Sequence, residues 1–298
     1  MTAPLHRPDW EIRSPMIDRL GESPVWDAAE QALYWIDFYG PTIRRLSASG
    51  VIDSWILPGV TQIGSIVRAR GGLLAATDRG LFLFRLPSGD LHFVGDPNQG
   101  RADIGYNDAK TDRQGRYWVG TFDASETAPR GILYCLPPGG PAHIADSGYI
   151  VCNGPSISPD GATLYFSDSL GRQVIAYEVG AAAPILSNRR RFFTLPEDEG
   201  IPDGLTVDED GHVWLAHYGA GLISRLDPQG TRIARYAVPA ANVTSLCFGG
   251  PDLRTVFVTT GIDPQAGPES DAFAGRLLGF VPGCRGLEDV VCTLEPLA

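Results

Sequence analysis

A segment that returns six times along this 298-residue chain constrains its fold more than any other feature of the sequence. Each copy joins an apolar stretch, a turn of the Asp-x-x-Gly kind and a Trp- or Tyr-rich run. The first three are Val25-Trp26-Asp27 before Leu33-Tyr34-Trp35-Ile36, Arg70-Gly71-Gly72-Leu73-Leu74, and Asp112-Arg113-Gln114-Gly115-Arg116-Tyr117-Trp118. The others are Ser158-Pro159-Asp160-Gly161 before Leu164-Tyr165-Phe166, Asp208-Glu209-Asp210-Gly211 before Val213-Trp214, and Gly250-Pro251-Asp252 before Val256-Phe257. Aligned on Asp27, Arg70, Asp112, Asp160, Asp208 and Asp252, they step by 43, 42, 48, 48 and 44 residues. A period of roughly 45 residues made of short strands and tight turns is that of propeller blades, so the expectation is an all-β, six-bladed β-propeller.

Each unit reads as a hairpin, because apolar runs flank Gly or Asp-Gly turn residues that supply positive φ. One blade cannot bury both of its faces, whereas a ring of blades covers each face with a neighbour and gathers the inner strand ends around a central channel. No linker or charge run interrupts the repeat across residues 1–298, so one propeller domain is expected, and the 36 glycines and 24 prolines suit its many turns. The stretches near Pro137 to Pro141 and Pro264 to Pro268 read as loops. Residues near the N-terminus, Trp10 to Arg13, are expected to pair beside C-terminal strands, since a ring closes securely when both chain ends share a blade.

The formal net charge is −11 with no basic stripe, which argues against a nucleic-acid partner. Lys110 is the single lysine and therefore the single candidate for Schiff-base chemistry. Met1 to Ile17 has no apolar secretory core, and no run of about 18 apolar residues occurs, so the expectation is a cytoplasmic protein with no membrane partner. Five cysteines without C-x-x-C spacing suggest buried thiols rather than disulfides or a zinc ribbon. Nothing in the sequence specifies an oligomeric state.

Polar residues interrupt the pattern at Leu20-Gly21-Glu22-Ser23-Pro24, Cys152-Asn153-Gly154-Pro155-Ser156 and Pro202-Asp203-Gly204-Leu205-Thr206, each just before a repeat turn. In a propeller these segments line the channel mouth, where Glu22, Asn153 and Asp203 can meet. Two carboxylates and an amide carbonyl form an all-oxygen set suited to one divalent cation, Ca²⁺, Mg²⁺ or Mn²⁺, with Zn²⁺ or Fe²⁺ as alternatives. Gly105-Tyr106-Asn107-Asp108-Ala109-Lys110 stands in the same register and brings Asn107 and Asp108 to the same mouth. Turn chemistry alone accounts for any one of these motifs. Four in equivalent places, with a varying acid or amide that the second and sixth copies lack, are not what turn chemistry produces. Competing constellations are weak: His212 and His217 are an odd number apart on one strand and face opposite sides, and Gly154-Pro155-Ser156-Ile157-Ser158 is not a nucleophile elbow.

With Gly115-Arg116-Tyr117-Trp118-Val119-Gly120-Thr121 added, these motifs make the chain resemble the senescence-marker-protein, gluconolactonase and luciferin-regenerating-enzyme family of six-bladed propellers, from Leu20 to about Thr260. The resemblance implies that Glu22, Asn153 and Asp203 bind one divalent metal and that Asn107 helps bind substrate. It also implies hydrolysis of sugar lactones, with Asp203 as base and Glu126 at an acidic lid position. Many sugar lactonases of this family have an Arg two residues before the Asn of the Asn-Asp pair, where this chain has Gly105 followed by Tyr106. Gly105, Tyr106 and Asn107 therefore stand as the substrate-facing residues here. Arg101, four residues earlier, is adequately explained as a solvated loop arginine.

A divalent ion on the lactone carbonyl stabilises the developing oxyanion by several kcal/mol. A carboxylate that binds the cation is a weakened base, so water activated by the ion is an alternative to Asp203 as the source of the nucleophile. The reading is a metal-dependent lactonase opening an aldonolactone to its acid. The alternatives are a non-catalytic metal-binding or scaffold propeller, and a hydrolase of non-sugar lactones or other esters.

Overall fold

The computed structural model describes residues 3–180, 186–263 and 271–294, which are all-β with no helix. The loop read near Pro264 to Pro268 lies outside the described residues. The loop at Pro137 to Pro141 joins the strands Gly131–Leu136 and His143–Tyr149. No helix among the described residues is long and apolar enough to cross a membrane.

The strands form a β-propeller arrangement. Four antiparallel four-stranded sheets start from Gly21–Asp27, Ile63–Ala69, Ile104–Thr111 and Cys152–Ile157. The separate sheets expected for the rest of the chain are not seen as such: its strands form one nine-stranded sheet. The reason is local. A single residue pair, Tyr218 opposite Asn242, joins the meander beginning at Ile201–Val207 to the one beginning at Asn242–Gly249. The first strands of successive units pack side by side, and Asn242–Gly249 packs back against Gly21–Asp27 to close a ring.

Alternation of side chains explains the recurrent aromatic pairs. Neighbouring residues of a strand point to opposite faces, and both faces of these sheets are buried. Tyr34 therefore packs with Leu73 and Ala75 of the following sheet, while Trp35 packs with Cys247 and Phe257 of the preceding one. Tyr117 and Trp118 also divide between two neighbours but in the opposite sense, Tyr117 toward the preceding sheet and Trp118 toward the following one, as do Val213 and Trp214. The indole N–H of each of the three most deeply buried tryptophans donates to a buried carboxylate: Trp35 to Asp18 at 2.8 Å, Trp118 to Asp112 at 2.8 Å and Trp214 to Asp208 at 2.9 Å. Arg44, Arg116 and Arg225 respectively neutralise those three carboxylates. Asp112 also caps its own turn, accepting the N–H groups of Gln114 and Arg116, and Gly115 supplies the turn's positive φ of 78°.

Described segments near both termini are built into the ring. As expected, residues from the segment Trp10 to Arg13 pair with a C-terminal strand, Glu11–Ile12 lying antiparallel to Leu278–Phe280. Leu5–His6 adds a parallel strand beside Arg232–Ala237. The segment 285–292 then crosses the face of the ring opposite the functional mouth described below. Gly286 pairs with Asp208 and Cys292 pairs with Ala69, and between them Glu288 binds Arg68 at 2.9 Å and Asp289 binds Lys110 at 2.6 Å.

Candidate active site

The innermost strands carry the polar motifs, and each has a β-bulge at the motif itself. The register breaks between Glu22 and Val25, Tyr106 and Ala109, Asn153 and Ser156, and Pro202 and Leu205. A bulge inserts an unpaired residue and re-aims the side chains around it, here toward the ring axis. The small residues beside the acids and amides have a packing reason. A Cβ on Gly154, at φ +42°, would meet Leu205 N at 2.6 Å, and one on Gly204 would meet Ser245 Oγ at 2.3 Å.

Glu22, Asn107, Asn153 and Asp203 all line one cavity of about 660 Å³ at the channel mouth. Its upper wall comes from the residues that follow or end the second strand of several units: Phe38 and Tyr39, Phe122, Ser169 and Leu170, Tyr218, and Ile262 with Asp263. Arg19 and Glu126 complete the rim. Glu126 sits on a loop organised by the Asp123 carboxylate, which accepts the N–H groups of Thr127 at 2.9 Å and Ala128 at 3.1 Å.

The amides are oriented by one another. Asn107 Nδ2 donates to Asn153 Oδ1 at 2.7 Å and to Cys152 O at 2.8 Å, and Asn153 Nδ2 donates to Ser169 Oγ at 3.0 Å. Asn107 therefore offers its carbonyl oxygen to a ligand, while Asn153 Oδ1 keeps a lone pair. Glu22 accepts the N–H of Ser23 at 3.0 Å. Burial, and then the nearby charges of Asp203 and Asp108, push the Glu22 carboxyl well above its ordinary range. The Asp203 carboxyl is likewise raised, by burial and then by Asp108. Asp108 lies deeper, on a narrow void of about 30 Å³ shared with Ser23, Gly154 and Lys110. It accepts the N–H of Gly154 at 2.9 Å, and burial lifts it to about 6. This void, not the mouth, is where the structure puts Asp108.

Tyr106 does not reach the cavity. Adjacent strand residues face opposite ways, so its ring enters the core between the second and third sheets, and its hydroxyl donates to Asp96 at 2.7 Å and accepts from Asn98 N–H. Gly105 is covered rather than facing a ligand: the Phe122 ring, opposite it in register, lies 2.5 Å from where a Cβ would stand. Gly105→Arg must displace this ring, so an overpacking loss of about 1–3 kcal/mol is expected in a denaturant melt, together with altered preference among lactones. A variant as stable as wild type with an unchanged preference would show that residue 105 has no bearing on the cavity wall. Arg101 binds Asp103 through two contacts of 2.9 and 2.7 Å, away from the mouth.

Other reactive groups are committed elsewhere. Asp208, Asp210 and His212 lie close enough together to suggest a metal, but Arg225 already binds Asp208 at 2.6 Å and His212 bonds to the same carboxylate. His217 is fully buried, bonds the Glu199 carbonyl at 3.1 Å, and is lowered to about 3 by desolvation. The Cys152 thiol is buried and pushed up, which leaves it inert.

Comparison with known proteins agrees with this architecture. A model of the SMP-30/gluconolactonase/LRE-like region matches residues 20–262. The pentonolactonase XacC of Haloferax volcanii is 35% identical over 290 residues, which cover 93% of each chain. Regucalcin of Oryctolagus cuniculus is 32% identical over 258 residues, covering 83% of this chain and 85% of that protein. A solved structure described as a calcium-binding protein, regucalcin, from Agrobacterium tumefaciens superposes with a TM-score of 0.91 at 25% identity, covering 98% of this chain and 100% of the other.

Proposed function

We propose that this chain, which belongs to the SMP-30/gluconolactonase/LRE-like family, is a divalent-metal-dependent lactonase that opens a sugar lactone to the corresponding acid. The fold that serves it is one six-bladed propeller domain, the nine-stranded sheet being two blades bridged at Tyr218 and Asn242 and edged by the N-terminal strands.

One contrast carries the reading. The buried carboxylates of Asp18, Asp112 and Asp208 each have an arginine partner. Glu22 and Asp203, equally buried, have no ion pair among the described residues and repel one another and Asp108. Uncompensated buried charge is costly, and a bound cation relieves it. Glu22, Asn153 and Asp203 present the hard oxygen donors that Ca²⁺, Mg²⁺ or Mn²⁺ prefer, so these three residues would hold the ion. When bound, the cation supplies Lewis-acid polarisation of the lactone carbonyl.

The protein's own groups do the rest. Asp203 takes a proton from the attacking water and returns it to the ring oxygen as that oxygen leaves. Asn107, held by its two donated hydrogen bonds, presents its carbonyl oxygen to a substrate hydroxyl or to water. Phe38 and Phe122, with ring centres 6.1 Å apart, exclude water from one side. The similarity to a pentonolactonase supports a pentonolactone as the natural substrate, and cytoplasmic turnover with no nucleic-acid or membrane partner completes the reading.

The test is hydrolysis of γ- and δ-lactones of pentoses and hexoses, before and after chelation. Opening of at least one sugar lactone that stops on chelation and returns with a divalent ion is expected. Binding of the ion without any turnover would favour a regulatory metal-binding propeller, and turnover indifferent to chelation would remove the metal from the reading.

A further inference from the structure

Among the described residues, Arg19 is the single basic side chain on the wall of the mouth cavity, where the acids are Glu22, Glu126, Asp203 and Asp263. It comes from the turn leading into the inner strand Gly21–Asp27, and that turn is pinned: the N–H groups of Arg19 and Leu20 donate to the Asp37 carboxylate at 3.1 and 3.2 Å. The guanidinium carbon stands 5.4 Å from the centre of the Tyr39 ring. Although carboxylates share this rim, the guanidinium makes no ion pair or hydrogen bond with another described residue. A guanidinium over an aromatic ring is attracted to the ring face and, with no other described partner, keeps up to five donors to offer. Elsewhere on the wall, Phe38 and Phe122 form an apolar surface. A ligand between these surfaces needs one face of C–H groups and an edge of acceptor oxygens, which is the character of a hydroxylated lactone ring.

Resting on the lactonase reading, we propose that Arg19 is the specificity-determining residue of this site: it donates hydrogen bonds to the hydroxyl oxygens of a polyhydroxylated lactone, with the Tyr39 ring holding the guanidinium. The residue selects what binds and stands apart from bond cleavage, which belongs to the floor of the cavity. Arg19 and Tyr39 are both exposed, so substituting Arg19 leaves the packed sheets untouched.

The experiment compares the cation-loaded wild type with Arg19→Gln, Arg19→Lys, Tyr39→Ala and the control Arg101→Gln on two substrates: a pentonolactone, and a hydroxyl-free lactone of the same ring size. Arg19→Gln is expected to raise KM for the pentonolactone about ten-fold or more, with kcat within about two- to three-fold of wild type and the hydroxyl-free lactone unaffected. Arg19→Lys should recover part of the loss, since it keeps the charge but not the fork, and Tyr39→Ala should fall between. Arg101→Gln should match wild type. Equal losses on both substrates, or no change on either, would overturn the proposal. Calorimetric binding of a hydroxylated lactam, which is not hydrolysed, separates the two levels of inference. If wild type opens no lactone, the lactonase reading falls; the role of Arg19 falls with it only if the lactam binds wild type and Arg19→Gln equally or binds neither.

Discussion

Asp203→Asn should reduce lactone hydrolysis by at least about 10³-fold, because it removes both the proton acceptor and one of the two carboxylates proposed to hold the cation. The same change should stabilise the metal-free protein. Asp203 is buried with no cationic partner among the described residues, its carboxyl is pushed up by burial and by Asp108, and an amide of the same shape carries no such charge. Opposite effects on activity and on metal-free stability distinguish a functional carboxylate from a structural one. Asp112, bonded to Arg116 and to the Trp118 indole, is the counterexample, since its removal is expected to destabilise the fold. The measurement is kcat/KM beside a thermal melt in chelator. Full activity in Asp203→Asn, corrected for spontaneous opening, would rule out Asp203 both as the base and as an essential metal ligand.

The metal-free protein should lose stability as pH rises from about 5 to 8, and saturating divalent cation should cancel that loss. The sign follows from linkage. Glu22, Asp108 and Asp203 have folded-state pKa values raised above their unfolded ones, so the native state binds more protons than the unfolded chain throughout the window between them. Stability is therefore greatest below the unfolded values near 4 and declines as pH climbs through the folded ones, of which that of Asp108 is about 6. Asp108 alone, moved from 3.8 to about 6, accounts for roughly 3 kcal/mol over its whole titration and for about half of that between pH 5 and 8, and the other two add to it. Carboxyls held low by hydrogen bonds, such as Asp160 beneath Ser158 and Ala162, act in the opposite sense but only at more acid pH, as they protonate. A melting temperature for chelated protein that is flat or rising between pH 5 and 8 would show that the three carboxylates do not share one field.

The sequence disclosed the fold because the repeat is written in the residues that carry structural load. Asp112, Gly115 and Trp118 recur, in kind, as Asp208, Gly211 and Trp214: the acid caps the turn and receives the indole, and the glycine makes the turn possible. Chain closure was legible for a related reason, since an open sheet edge must be covered and Trp10 to Arg13 lies just ahead of the first copy. The joined nine-stranded sheet was not legible. It depends on one backbone pairing between Tyr218 and Asn242, which carries no side-chain signature.

The floor of the site was readable because Glu22, Asn107, Asn153 and Asp203 break an apolar pattern at matching places. Its wall was not, because Phe38, Phe122 and Tyr218 look like ordinary strand-end aromatics until the ring brings them together. A usable signal exists all the same: most of them stand where the second strand of a unit ends, so the register of the repeat points to the wall as well as to the floor. Tyr106 misled for an equally physical reason. It adjoins Asn107, but neighbours on a strand face opposite ways, and the bulge that turns Asn107 inward begins just after Tyr106.

The segment that crosses the far side of the ring has a bearing on turnover. Asp289 meets Lys110 where the channel ends, and the void above them holds roughly two water molecules at most. Among the described residues the site is thus a well with one doorway, past Tyr39, Glu126 and Asp263. On the lactonase reading proposed above, substrate, water and the acid formed would share that passage, and the carboxylates that flank it would repel the anionic product outward. Each molecule of product would then clear the doorway before the next lactone follows.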